Sequence, residues 1–247
     1  MLGADTLELD VVVTKDKKIV VSHEAWFSSA ISLDPNGRRI PAEKQQDFNI
    51  FKMTYSEVRR FDVGSIGNKD FPQQKKIKVS KPLLKDVFKE IAKYVRENRL
   101  PAPRYNIEIK TAKNGEDIFN PTPAVFVRIV YDEIKTERML KRVIIQSFDV
   151  RVLQEFKKIE KDVPLALLVS NKEDIEKQLE ILGFAPDTYS PHFSLVDAAM
   201  VSICRKSGIK IIPWTINEIS DLERMKSFDL DGVITDYPDR AVKVFTK

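Results

Sequence analysis

The sequence predicts an α/β protein of the TIM (β/α)8 barrel type in which seven of the eight strands are present. Three observations carry this reading. From residue 82 onward, short apolar strands alternate strictly with helical stretches across short loops, as right-handed βαβ units of a parallel sheet do. No Gly-rich phosphate loop follows the first strand, which argues against an open doubly wound sheet. Finally, Met1-Leu2-Gly3-Ala4 reads as the tail of a helix capped by Gly3 just before a strand, so a first strand and most of a first helix are missing from the eightfold pattern. A barrel opened in this way exposes two sheet edges, which predicts poor folding or oligomerisation to fill the gap.

The elements follow in order. Thr6-Leu7-Glu8-Leu9-Asp10-Val11-Val12-Val13 is too apolar and too β-branched for an exposed edge strand. A hairpin-like return through Lys18 to Ser22 brings His23 back towards it. Residues 24–81 are rich in loops, with a strong turn at Asp34-Pro35-Asn36-Gly37 and a short helix near residues 56–60, and a loop-rich stretch of this length is functional or a small insertion. Leu84, Val87, Phe88, Ile91, Ala92 and Val95 then follow helical spacing. Strands are predicted at 105–110, 142–146, 164–169, 188–190, 209–214 and 232–235. Helices are predicted near 122–136, 149–159, 172–182, 194–207 and 218–226, with a closing helix from Pro238.

A chain of 247 residues, 43% hydrophobic and 32% charged, has the size of one α/β barrel or two smaller domains, and the strand–helix rhythm favours a single domain over 1–247. Its net charge of +4 suits anionic small molecules or phosphate groups and gives no argument for nucleic acid. The single cysteine, Cys204, excludes an internal disulfide and falls in a predicted helix as a core or half-buried thiol. No apolar run approaches the roughly 18 residues that cross a bilayer, and no signal peptide opens the chain, which leaves the compartment unassigned.

The chemistry starts on the first strand. Residues two apart share a face, so Glu8 and Asp10 point one way and Leu7, Leu9 and Val11 the other. Two carboxylates on one side of a buried strand repel each other and lose hydration unless a cation sits between them. Glu108 and Lys110 repeat the pattern, with Ile107 and Ile109 opposite. Three carboxylates without a Cys/His cluster select a hard divalent ion, Mg²⁺ or Ca²⁺, with Mn²⁺ also admitted, and disfavour zinc. A buried Glu–Lys network without an ion is the alternative. His23, just past a strand end, is a candidate general acid or base, or else a structural hydrogen bonder. Lys110 can meet a phosphate oxygen as a point charge. Trp214 ends an apolar strand and either floors a substrate pocket or packs in the core. His192 reads as a loop histidine near the rim, and Lys75, Lys76, Lys78 and Lys81 as a solvated basic loop, with attraction of an anionic substrate as the alternative.

Gly3-Ala4-Asp5, Glu8-Leu9-Asp10-Val11, Thr14-Lys15-Asp16 and Val20-Val21-Ser22-His23 resemble the signature of the glycerophosphodiester phosphodiesterases. Ile107-Glu108-Ile109-Lys110, Gln146-Ser147-Phe148-Asp149, Pro213-Trp214-Thr215-Ile216-Asn217 and Asp231-Gly232-Val233-Ile234-Thr235-Asp236-Tyr237-Pro238 resemble its later blocks. The resemblance implies a TIM barrel with a small insertion after the second strand. It also implies metal-dependent hydrolysis of glycerophosphodiesters to sn-glycerol 3-phosphate and an alcohol. By the same resemblance Glu8, Asp10 and Glu108 match the metal ligands, His23 a catalytic histidine, and Lys110 and Trp214 the lining of the phosphate and glycerol sites. Glu24 departs from the aspartate that usually follows that histidine. The family's first-strand His-Arg pair, and the helix entered through Pro-Glu-Asn, have no counterpart here. Two readings follow: a phosphodiesterase whose sequence starts late, and a truncated binder of metal and phosphate esters with weak or no turnover.

Overall fold

The structure is a computed structural model describing residues 2–246. Seven strands form one sheet in the order β2-β1-β3-β4-β5-β6-β7. They are β1 (Thr6–Val13), β2 (Ile19–Val21), β3 (Arg104–Ile109), β4 (Val143–Ser147), β5 (Leu165–Val169), β6 (Thr188–Pro191) and β7 (Lys210–Ile211). β2 pairs antiparallel with β1, Val12 opposite Val20, while β3 to β7 pair in parallel in sequence order. Arg104 N donates to Asp5 O and Lys110 N to Val11 O, six residues on along both chains, so one register runs the length of β1 and β3.

The helices are α1 (Tyr55–Val58), α2 (Leu84–Glu97), α3 (Pro123–Thr136), α4 (Val150–Ile159), α5 (Ile175–Leu182), α6 (Ala198–Lys206), α7 (Ile219–Lys226) and α8 (Pro238–Phe245). Their starts and stops follow from sequence chemistry. Asp149 caps α4 by accepting from Arg151 N, Pro123 and Pro238 open α3 and α8, and Gly183 ends α5 with a left-handed φ of 82°.

Contacts divide the chain into two units, and the division runs through β1 and β3 themselves. The first unit holds residues 1–8, 100–108 and 139–247. Its core is built from Val143, Ile145, Phe156, Leu165, Tyr189 and Met225. The second holds 9–99 and 109–138. In it Val12, Val20, Phe27, Ile40, Ile50, Val58, Phe61 and Leu83 form a separate cluster, with the Phe27 and Phe61 rings stacked 3.8 Å apart. Thr54 and Glu57 cap α1 reciprocally, and the Asp34 carboxylate accepts from Asn36 N and Arg38 N to close the expected turn.

The strand count of seven is met by a different set. Residues 232–235 are not a strand; Ile216 N donates to Ile234 O and Ile234 N to Pro213 O, two bonds that stop short of a ladder. β7 ends at Ile211 rather than 214: Ile212 N and Trp214 N still donate to Tyr189 O and Pro191 O, but Pro191 has no N–H to return to β7, and Pro213 has none for the stretch 232–235 on the other side. The antiparallel β2 makes up the number. The stretch 194–207 is a 3₁₀ turn, Phe193–Leu195, followed by α6.

Candidate metal centre and acid–base pair

The pleat of β1 puts Glu8 and Asp10 on one face, and the pleat of β3 does the same for Asn106, Glu108 and Lys110. Glu8, Asp10 and Glu108, all on these two strands, each offer a carboxylate oxygen, and the three oxygens lie within 4.8 Å of one another. Their burial is graded rather than uniform: Glu8 is exposed, Asp10 partly covered and Glu108 buried at 6% exposure. Lys110 Nζ stands 3.2 Å from Asp10 Oδ1. Its single positive charge can balance one of the three negative charges. A donor set of carboxylate oxygens, one of them out of water, fits a hard divalent cation.

Two amides that the sequence reading left without a role hold Glu8 in place. Gln146 Nε2 donates to Glu8 Oε1 at 2.7 Å, and Asn106 Nδ2 donates to Gln146 Oε1 at 2.7 Å. Gln146 sits opposite Glu108 in the β3–β4 register and is 1% exposed. The available signal was a glutamine inside an otherwise apolar strand.

His23 lies on the turn after β2, with its side chain largely exposed. Its Nδ1 is 2.9 Å from Glu24 Oε1. The bond to Glu24 raises the proton affinity of His23 above the ordinary value, opposed by partial burial and the Lys110 charge and helped by Asp10. Reciprocally, the bond to His23 holds the Glu24 carboxyl below its ordinary range. Glutamate thus fills the place expected for an aspartate.

Trp214 is half-buried rather than core. Its Nε1 donates to Ser190 O at 2.8 Å, and its ring meets Phe148 and His192 edge-on at 5.3 and 5.2 Å. His192 accepts from Ser194 N and pairs with the Ser194 hydroxyl at 2.7 Å. Cys204 is fully buried, as expected, and burial pushes its thiol up to about 11, which makes it inert. Of the basic run, Lys75, Lys76 and Lys78 are exposed, but Lys81 is 5% exposed, a correction to its reading as solvated. No described helix is long and apolar enough to cross a membrane.

The mostly parallel sheet and the oxygen-donor cluster on two adjacent strands define an α/β protein equipped to hold a hard cation. Residues 1–240 match the glycerophosphoryl diester phosphodiesterase family, and the chain belongs to that family, with its TIM-barrel fold and its divalent-metal dependence. The family's reaction is hydrolysis of glycerophosphodiesters. A glycerophosphodiester phosphodiesterase of Caldanaerobacter subterraneus is 29% identical over 246 residues, spanning 100% of this chain and 88% of that protein. Among solved structures, a putative glycerophosphoryl diester phosphodiesterase from Silicibacter pomeroyi superimposes with a TM-score of 0.84 at 26% identity, over 99% of this chain and 84% of that one. An Oleispira antarctica phosphodiesterase, solved with the product sn-glycerol-3-phosphate, shares the fold with a TM-score of 0.76 at 20% identity, over 100% and 87%.

Proposed function

We propose that residues 1–247 form one catalytic domain, with 24–81 inserted in it, that hydrolyses small glycerophosphodiesters to sn-glycerol 3-phosphate and an alcohol. The observation that carries this is the convergence of Glu8, Asp10 and Glu108, three oxygen donors within 4.8 Å in a chain of this family. These three would hold Mg²⁺ or Ca²⁺, with Mn²⁺ a third candidate. Such an ion, when bound, polarises a phosphoryl oxygen and offsets charge that develops on the phosphate.

The chain's own groups supply three further contacts. Lys110 offers a point charge to a phosphate oxygen. As a water oxygen bonds to phosphorus and the phosphorus–oxygen bond to the alcohol breaks, His23, whose proton affinity is raised by the bond of Nδ1 to Glu24, gives its Nε2 proton to the leaving alkoxide, and the proton of the attacking water passes to solvent. Trp214, pinned by Ser190, lines the glycerol end.

Glycerol 3-phosphate released from glycerophosphocholine or glycerophosphoethanolamine, detected by a coupled assay, tests this. Release with one of the three ions that stops on adding EDTA supports the reading. Absence of both ion binding and release overturns it. A second reading, ion and phosphate-ester binding without turnover, draws on the second of two histidines being tied to Ser194; binding without release selects it.

A further inference from the structure

Lys81 is a buried cation that the proposed reaction does not use. Its Nζ donates to Ser22 Oγ at 2.5 Å and stands 5.4 Å from the centre of the Phe27 ring. Ser22 Oγ in turn donates to the backbone carbonyl of Glu24 at 2.5 Å. The backbone around Lys81 is fixed as well: Tyr55 OH donates to Lys81 O, and Val21 N donates to Pro82 O, so the end of the insertion runs beside β2. Residue 81 therefore ties the last turn of the insertion to the first turn after β2.

A buried ammonium is costly unless it is partnered. Burial pulls the Lys81 amine down to about 8, and the Glu24 carboxylate works against that fall. Reciprocally, the Lys81 charge is among the influences that keep Glu24 ionised. The charged groups acting on His23 are Glu24, Asp10 and Lys110, and those acting on Glu24 are His23 and Lys81.

We propose that Lys81 is a positioning residue for His23: its ammonium holds the Ser22 hydroxyl, which holds the Glu24 peptide carbonyl, and so fixes the turn on which His23 and Glu24 meet. The inference deepens the proton-donor reading of His23 and rests on it only for its kinetic consequence. Lys81 is not among the groups proposed to meet substrate or ion. It acts through two hydrogen bonds and one charge.

The chain has two histidines, so its NMR spectrum holds two sets of imidazole signals, assigned with His192→Asn. In metal-free buffer the His23 signal is expected to titrate above the ordinary value of about 6.5. Lys81→Met, close in size and apolar, and Ser22→Ala, which breaks the relay but keeps the charge, should each lower that titration towards the Glu24→Gln value. Removing a positive charge by itself leaves a histidine unmoved or raises its proton affinity. A fall is thus the mark of lost positioning rather than lost charge. Where Lys81→Met disturbs the His192 signal, and so the fold, Ser22→Ala decides alone. An unchanged or rising His23 titration in a folded variant overturns the proposal. The alkaline limb of kcat/KM should move down with the NMR titration. If the NMR value falls while the limb stays, Lys81 positions His23 but His23 is not the proton donor.

Discussion

The polar face of β1 and β3 and the segment between β2 and α2 place their functional groups by opposite means. On the two strands the ladder satisfies the backbone, and the pleat decides which face Glu8, Asp10, Asn106 and Glu108 take, with Lys110 following directly after β3. Residues 24–81 have no such repeat. Their path is set by single contacts: Asn49 Nδ2 to Ile118 O, Tyr55 N to Asp16 Oδ1, the Thr54–Glu57 box, the side-chain pair Lys81–Ser22, and isolated backbone bonds such as Leu33 N to Asp62 O. Those contacts close over the Phe27–Phe61 cluster. The carboxylate cluster is therefore a property of two strands, whereas the His23–Glu24 pair depends on a folded segment that must carry its own core. Damage should separate them.

The largest expected effect is at Glu108. Replacing it with Gln removes the buried ligand, and divalent affinity should fall by more than the roughly 10–100-fold that supporting groups contribute to metal sites. In EDTA the sign of the stability change should reverse. Glu108→Gln relieves repulsion among three carboxylates, so the ion-free variant should be as stable as the parent or more so. A Glu–Lys network without an ion predicts a loss of stability instead, because the substitution then removes one negative charge that faces Lys110, although Asp10 still pairs with it at 3.2 Å. Thermal melts with and without ion separate the two.

Phe27→Ala attacks the other region. Phe27 is fully buried against Phe61, and deleting a buried aromatic ring costs about 3–5 kcal/mol. Urea titration should show that loss. Calorimetry with Ca²⁺ should show affinity close to the parent in the folded variant, since no carboxylate of the cluster lies in residues 24–81. Ion affinity lost together with stability would show that the carboxylate cluster depends on the core of residues 24–81.

The same contrast explains what the sequence disclosed. Alternation in Thr6–Val13 and around 105–110 disclosed the carboxylates, because a strand's period is local and fixes side-chain direction without reference to the rest of the chain. The helices from Leu84 onward were equally legible through their apolar spacing. Strand 232–235 was misread for the reason that made the others readable: an apolar run ending in Val-Ile-Thr has strand propensity, but its neighbour after Ile211 carries Pro213 and cannot complete a ladder. Lys81 was illegible in principle. Nothing adjacent in sequence tells it from Lys75, Lys76 and Lys78; only the return of the insertion onto Ser22 does. Gln146 lies between these cases, visible as a polar residue in an apolar strand but with no sign of its partner on a strand 138 residues away.

Gln146→Leu gives the next smaller effect. It leaves the Glu8 carboxylate without the amide that orients it and Asn106 without its acceptor. Divalent affinity should drop by about 10–100-fold, while the His23 titration stays put. An unchanged affinity would show that the pleat orients Glu8 without help from Gln146.

The smallest effect is a window in pH. The Glu24 carboxyl lies below its ordinary 4.5, so its share of stability is present above about 4.5 and lost as pH falls through the lowered value. His23 lies above its ordinary 6.5, so its share is full below about 6.5 and lost as pH rises through the raised value. The pair therefore contributes most between about 4.5 and 6.5. Its exposed histidine keeps the contribution below about 1 kcal/mol. Glu24→Gln should be less stable than the parent inside that window, with the gap narrowing on both sides. Lys81 adds a further step, because its amine loses charge near pH 8 and the carboxylate of Glu24 then has one cation fewer to face. A gap that outlasts the His23 titration but closes as pH passes about 8 assigns the remainder to Lys81; one that stays open at pH 9 means that Glu24 is held by packing and not by charge.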